Sequence, residues 1–158
     1  MKGGRKLSMG GVQYELEIAI QAPIDKVWQA IINDIQLWWL GDFHMVAPDS
    51  QVELDVRPGG RGLMETAGDG SFLQWYTVQA YLPQQRKIYL VGNLAPEFGG
   101  PSTSNLSLEL ISDSEGCTLK ITDAHHGCVD EQTIDSLEKG WKQLFDSGLR
   151  CYVEDKAN

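Results

Sequence analysis

QYELEIAIQAPIDKVWQAIINDI, residues 13–35, changes its period halfway along, and that change decides the fold. Over residues 13–20, Tyr14, Leu16, Ile18 and Ile20 alternate with Glu15, Glu17 and Ala19, the period of two of a half-buried strand. From Pro23 onward the apolar positions are Ile24, Val27, Trp28, Ile31, Ile32 and Ile35, three and four apart as on one helical face. Pro23 suits the first helical position, and Asp25 sits in the first turn, where the helix dipole favours negative charge. A further helical turn or two through Leu37, Trp38, Trp39 and Leu40 stops at Gly41. The chain therefore opens with one strand and two short helices.

Downstream of this junction the period returns to two. Val52, Leu54 and Val56 alternate with Glu53 and Asp55, and Arg57-Pro58-Gly59-Gly60-Arg61 turns the chain. Residues 63–66 follow, then the hairpin signal Ala67-Gly68-Asp69-Gly70, a long strand over 72–82 closed by Pro83, and its partner over 87–91. A Pro/Gly-rich loop is expected over 92–102. Leu106, Leu108 and Leu110 then alternate with polar residues, Ser114-Glu115-Gly116 turns, and Leu119 and Ile121 alternate with Thr118, Lys120 and Thr122. The last element is a helix with Asp130 as N-cap, Glu131 in its first turn and Arg150 near its end. Ile134, Leu137, Trp141, Leu144, Phe145, Gly148 and Tyr152 share one face. At roughly 23 residues it is about 35 Å long, and no other element is long enough to cover the sheet. The expected class is α+β: a curved antiparallel sheet of about seven strands wrapped around a long C-terminal helix, forming one domain over residues 12–158. Residues 1–11 are expected to be a disordered leader.

The chain's 158 residues suffice to bury a core without disulfides or metals. Residues 1–11 carry Lys2, Arg5 and Lys6 with no apolar run after them, so they do not read as a signal peptide. Cys117, Cys128 and Cys151 have neither CxxC nor metal-ligand spacing, which points to reduced thiols, a cytoplasmic location and no metal site. A formal net charge of −9 disfavours nucleic acid and anionic membrane as partners, because both would be repelled. No nucleophile elbow and no paired catalytic carboxylates are present. The Gly68-Asp69-Gly70 and Gly99-Gly100 clusters lack the strand-to-helix context of a phosphate loop. No cofactor is implied.

Four stretches carry a resemblance: residues 18–28 (IAIQAPIDKVW), 57–61 (RPGGR), 122–127 (TDAHHG) and 138–141 (EKGW). In this order they resemble the START-like (SRPBCC, helix-grip) superfamily, in the branch similar to the C-terminal domain of the heat-shock-protein-90 ATPase activator. The resemblance spans nearly the whole chain. It implies the helix-grip fold and a choice among ligand carriage, a stress or resistance role, a chaperone as partner, and cyclase or hydrolase chemistry. Fold does not choose among them.

Asp123 and His125 would point to the same strand face, a geometry usable for an acid/base pair in a cyclase- or hydrolase-type enzyme. Against that stands the plainer reading of a polar strand end beside a loop. The aromatic residues are the larger resource. Trp38, Trp39, Phe43, Trp75, Tyr89, Trp141 and Phe145 either fill the core or line a pocket for a small apolar or aromatic molecule between sheet and helix. Gly140 and Gly148 each cost the helix about 1 kcal/mol relative to alanine. Close packing is the expected reason at Gly140, and room left for a ligand at Gly148. The preferred function is non-enzymatic ligand binding; the alternatives are a co-chaperone-like interaction module and an enzyme using Asp123 and His125.

Overall fold

The computed structural model describes residues 6–155. Strand β1 (Gly10–Ile20) is followed by helices α1 (Ile24–Asn33) and α2 (Ile35–Trp38). Six strands come next: β2 (Gln51–Asp55), β3 (Gly62–Thr66), β4 (Phe72–Leu82), β5 (Lys87–Leu94), β6 (Ser102–Ser112) and β7 (Cys117–Gly127). They form one seven-stranded antiparallel sheet in the order β1-β7-β6-β5-β4-β3-β2, so the first strand closes one edge beside the last. The chain ends in a helical rod: α3 (Glu131–Gln143), a π-helical segment (Leu144–Arg150) and α4 (Cys151–Asp155). This is the helix-grip fold expected from the sequence.

The alternating strands aim their apolar residues at the rod. Ile18 and Ile20 of β1, Ile88 and Leu90 of β5, Leu106, Leu108 and Leu110 of β6, and Leu119 and Ile121 of β7 are buried. From the helices, Val27, Ile31 and Trp38 meet them, together with Trp141, Leu144, Phe145, Leu149 and Val153. Asp130 caps α3, its carboxylate accepting from the backbone N–H of Thr133 at 2.7 Å. The rod is not a uniform α-helix. Its buried positions 141, 145, 149 and 153 recur every four residues, wider than the 3.6 of an α-helix, and the π-helical turn absorbs the difference. Leu149 and Val153 therefore face the core, where the α-helical pattern placed Tyr152.

Two of the boundaries that differ from those expected bear on the fold. Strand β1 begins at Gly10, inside the stretch expected to be a leader, and Gly10 and Gly11 pair with Gly127 and His126. Residues 1–5 of that stretch lie outside the described residues. Strand β5 runs on to Leu94, through Gly92, which the sequence reading assigned to the long loop. A side chain at Gly92 would stand 2.4 Å from the carbonyl oxygen of Trp75 and 2.9 Å from the ring of Tyr76. Glycine there admits Tyr76 across the strand rather than ending the strand.

Strand β4 carries two irregularities that bend the sheet. Leu63 pairs with Tyr76 but Met64 with Gln74, so Trp75 is an extra residue; Gln79 is skipped in the same way against β5. Such bulges kink a strand and re-aim its side chains. Among the described residues no helix is long and apolar enough to cross a membrane. All three cysteines are free thiols, and burial pushes the Cys117 thiol up to about 11.

Candidate functional site

The space between sheet and rod is divided. Deep in the core, Trp38, Trp141 and Phe145 fill it: the Trp38 and Phe145 rings are 5.8 Å apart and those of Trp141 and Phe145 5.9 Å. Only about 20 Å³ remains there, too little for an organic ligand. Nearer the mouth, between α3 and the segment that follows α2, lies an apolar cavity of about 350 Å³. Trp39, Phe43, Met45, Trp75, Leu137 and Trp141 wall it, Gly140 faces it, and Asp42 and Ser136 supply its polar groups.

Each wall residue is held by identifiable contacts. Trp39 follows the last residue of α2, and its indole N–H donates to the carbonyl of Phe43 at 3.2 Å, closing the turn Gly41–Phe43. Its ring meets Phe43 and Trp75 edge-on, with centroids 6.4 and 5.7 Å apart. Trp75 is the extra residue of the β4 bulge. The bulge turns it inward directly before Tyr76, whose ring packs 6.0 Å from Trp141. Without the bulge, consecutive residues would face opposite sides of the sheet.

Behind Trp75 stands Glu65, a fully buried carboxylate on β3. It accepts from the backbone N–H groups of Met45 and Val46, both at 2.8 Å, from the Ser50 hydroxyl at 2.6 Å and from the Trp75 indole at 3.1 Å. Burial alone would raise its pKa. The bonds from Ser50, Val46, Trp75 and Met45 outweigh that and hold it below the ordinary value of 4.5. His44 joins the same cluster through Ser50, at 2.8 Å. Glu65 thus fastens the 44–50 segment, and with it one wall of the cavity, to the sheet.

Behind Trp141 stands the second buried acid, Asp123, which accepts from Tyr14 at 2.7 Å, Ser104 at 2.7 Å and the Trp141 indole at 3.2 Å. Tyr76 extends this network to Ser104 at 2.9 Å. Burial, reinforced by the charge of Asp123, pushes the pKa of both Tyr14 and Tyr76 up, so both phenols stay protonated. His125 is also fully buried. Its Nε2 bonds Ser102 at 2.8 Å, and Nδ1 has no hydrogen-bond partner among the described residues. Desolvation lowers its pKa and favours the neutral ring. Among the described residues no group of His, Cys, Asp or Glu is arranged to hold a metal ion.

The structure brings together four of the eight residues expected to line a pocket: Trp39, Phe43, Trp75 and Trp141. Trp38 and Phe145 belong instead to the filled core. Tyr89 lies on the outer sheet face, 36% exposed, with Lys87 over its ring; strand alternation places it opposite buried Ile88 and Leu90. Gly148 does not leave room for a ligand. A β-carbon there would stand 2.6 Å from the Trp38 carbonyl oxygen, so the glycine permits close approach of the rod to α2. Gly140 is the open one: the nearest atom to its built β-carbon is Phe43 Cε1, 3.9 Å away. The roles expected for these two glycines are exchanged.

Asp123 and His125 do share the inner face, as their spacing required. They have separate hydrogen-bond partners and neither lines the cavity, Trp141 lying between Asp123 and the opening. Glu65 was not singled out from the sequence. Its signal was a charged residue two positions after Leu63, on the face that the apolar alternation turns inward.

An antiparallel sheet gripping a C-terminal rod, with an apolar opening beside that rod, defines a START-like helix-grip protein. Within that class the chain belongs to the family described as Activator of Hsp90 ATPase homolog 1-like protein, whose model matches residues 21–154. A search of the curated proteins gave no match. Among solved structures, an uncharacterized protein from Rhizobium leguminosarum is similar with a TM-score of 0.66 at 18% identity, covering 94% of this chain and 97% of its own. Protein CV1439 from Chromobacterium violaceum has a TM-score of 0.65 at 23% identity, with 90% and 96% covered. An AHSA1-like protein from Aeromonas hydrophila has 0.62 at 18%, with 92% and 94% covered. At these identities the likeness is one of fold.

Proposed function

We propose that the chain binds a small apolar or aromatic molecule in the cavity beside α3 and does not transform it. One observation carries this reading: an apolar space of about 350 Å³, walled by four aromatic rings, with glycine at the helix position facing it. Small-molecule sites begin at about 300 Å³ and take this form, mostly apolar with few polar groups. Burying ~300 Å² of ligand surface contributes roughly 7 kcal/mol before the costs of association, enough for micromolar binding without a catalytic group. Neither Asp123 nor His125 lines the cavity, and they are bonded instead to tyrosine, serine and tryptophan, which favours binding over acid/base chemistry.

Titration of the full chain with a panel of small aromatic compounds, followed by tryptophan fluorescence and thermal shift, tests the reading. Trp39, Trp75 and Trp141 report directly from the wall. Gly140→Leu, which projects a side chain into the cavity, should weaken any hit at least tenfold while the protein stays folded. The reading fails if no compound saturates, or if Gly140→Leu binds as the parent does. The family's description names an Hsp90 ATPase activator. Stimulation of Hsp90 turnover by the full chain, together with an inert cavity, would replace ligand carriage with a co-chaperone role.

A further inference from the structure

We infer that the molecule taken up at this cavity is an organic cation, a quaternary or protonated amine on a small apolar or aromatic body. The inference rests on the reading that the cavity holds a small molecule, and adds the charge of that molecule.

The polar edges of the wall are already committed elsewhere. The indole N–H groups of Trp39, Trp75 and Trp141 donate away from the cavity, to the Phe43 carbonyl, to Glu65 and to Asp123. What these rings present to an occupant is aromatic carbon. A carboxylate or carbonyl head would find no indole donor there. An aromatic face carries negative electrostatic potential, and its best partner is a cation within about 6 Å of the ring centre, tryptophan being the strongest of the aromatic residues in this role.

Acidic groups reinforce that preference. Trp75 and Trp141 each donate to a fully buried acidic side chain, an arrangement that polarises the indole toward greater electron density on the ring. The ionisable side chain lining the cavity itself is Asp42, and none of the lining residues is Lys, Arg or His. The chain's formal net charge of −9 draws cations toward the molecule and repels anions. An uncharged ligand would gain burial alone. A cation seated over a ring face would add the attraction of that face and of Asp42, and an anion would be opposed by both.

Three probes of similar shape separate these cases: trimethyl(2-phenylethyl)ammonium, its uncharged carbon isostere (3,3-dimethylbutyl)benzene, and the anion 4-phenylbutyrate. Each is titrated into the full chain at low salt with tryptophan fluorescence and calorimetry as readouts. The cation should bind about tenfold more tightly than the isostere, and the anion most weakly. Asp42→Asn, on an exposed rim, should weaken the cation about threefold more than the isostere. Equal or tighter binding of the isostere overturns the charge preference and leaves the apolar cavity reading standing. Saturation by none of the three overturns the inference, and the wider panel of aromatic compounds then decides the cavity reading. Cation binding that survives Gly140→Leu undiminished places the cation elsewhere and also overturns the inference.

Discussion

At position 148 an added methyl group would meet the carbonyl oxygen of Trp38 at 2.6 Å, whereas at position 140 its nearest neighbour is 3.9 Å away. The same substitution should therefore act in opposite directions. Gly148→Ala is expected to destabilise by roughly 1–3 kcal/mol, because backbone must move to admit it. Gly140→Ala is expected to stabilise by up to about 1 kcal/mol, since alanine favours the helix. Urea denaturation of both variants checks the pair, and a loss at Gly140 as large as that at Gly148 would contradict the assignment. Glu65 is the other residue with a distinct signature. Glu65→Gln keeps the shape but replaces one accepting oxygen by a donor, at a cost of about 1–3 kcal/mol. Because the folded-state pKa of Glu65 lies below the ordinary 4.5, its contribution is complete above that value and is lost as pH falls through the lower folded-state value. Melting temperatures of the parent and Glu65→Gln should converge on acidification from about pH 6 to about pH 3. Parallel curves over that range would remove Glu65 from this role.

The C-terminal rod behaves as two elements in series. From Trp141 onward it is anchored: Leu144, Leu149 and Val153 are wholly buried. Before that it borders the cavity through Ser136, Leu137 and Gly140, and Ile134 and Leu137 are only half-buried. Leu149→Ala should cost about 2–5 kcal/mol, as full removal of a buried leucine does, and Ile134→Ala less than about 2 kcal/mol. Amide hydrogen exchange should show the same gradient, with residues 131–139 exchanging well before residues 144–153. Uniform protection along the rod would argue against it. The division suits a ligand site, since the half of the helix bordering the cavity is the half least committed to the core. Strand β4 is divided too, its bulge turning Trp75 toward the cavity and bending the sheet around the rod.

For the whole molecule, binding and stability are linked. An occupant that binds only the folded chain stabilises it by about 2.7 kcal/mol at a concentration one hundred times its dissociation constant. The midpoint of urea unfolding should rise accordingly with trimethyl(2-phenylethyl)ammonium, and should rise less in Gly140→Leu. An unchanged midpoint at saturating probe would show that the cavity is not occupied in the folded state. The sheet itself, with its edges β1 and β2 lying far apart in strand order, encloses two buried acids and the tryptophans bonded to them. Together with buried His125, Ser102 and Ser104 they form the polar seams of the interior.

Much of this was legible in the residues themselves. The switch from alternation to three-and-four spacing after Ile20, the strands between glycine-rich turns and the Asp130 cap specified the order of elements, because side-chain period and capping are local properties. The candidate wall was half legible: Trp39, Phe43, Trp75 and Trp141 could be named as aromatic, but not told apart from Trp38, Phe145 and Tyr89. That distinction belongs to tertiary structure. It depends on the β3–β4 register that makes Trp75 the extra residue, on the approach of the rod to Trp38 at Gly148, and on the distance between α3 and Phe43 at Gly140. These relate residues far apart in the chain, and a shift of one register position or of a few ångströms would turn an open wall into a packed core.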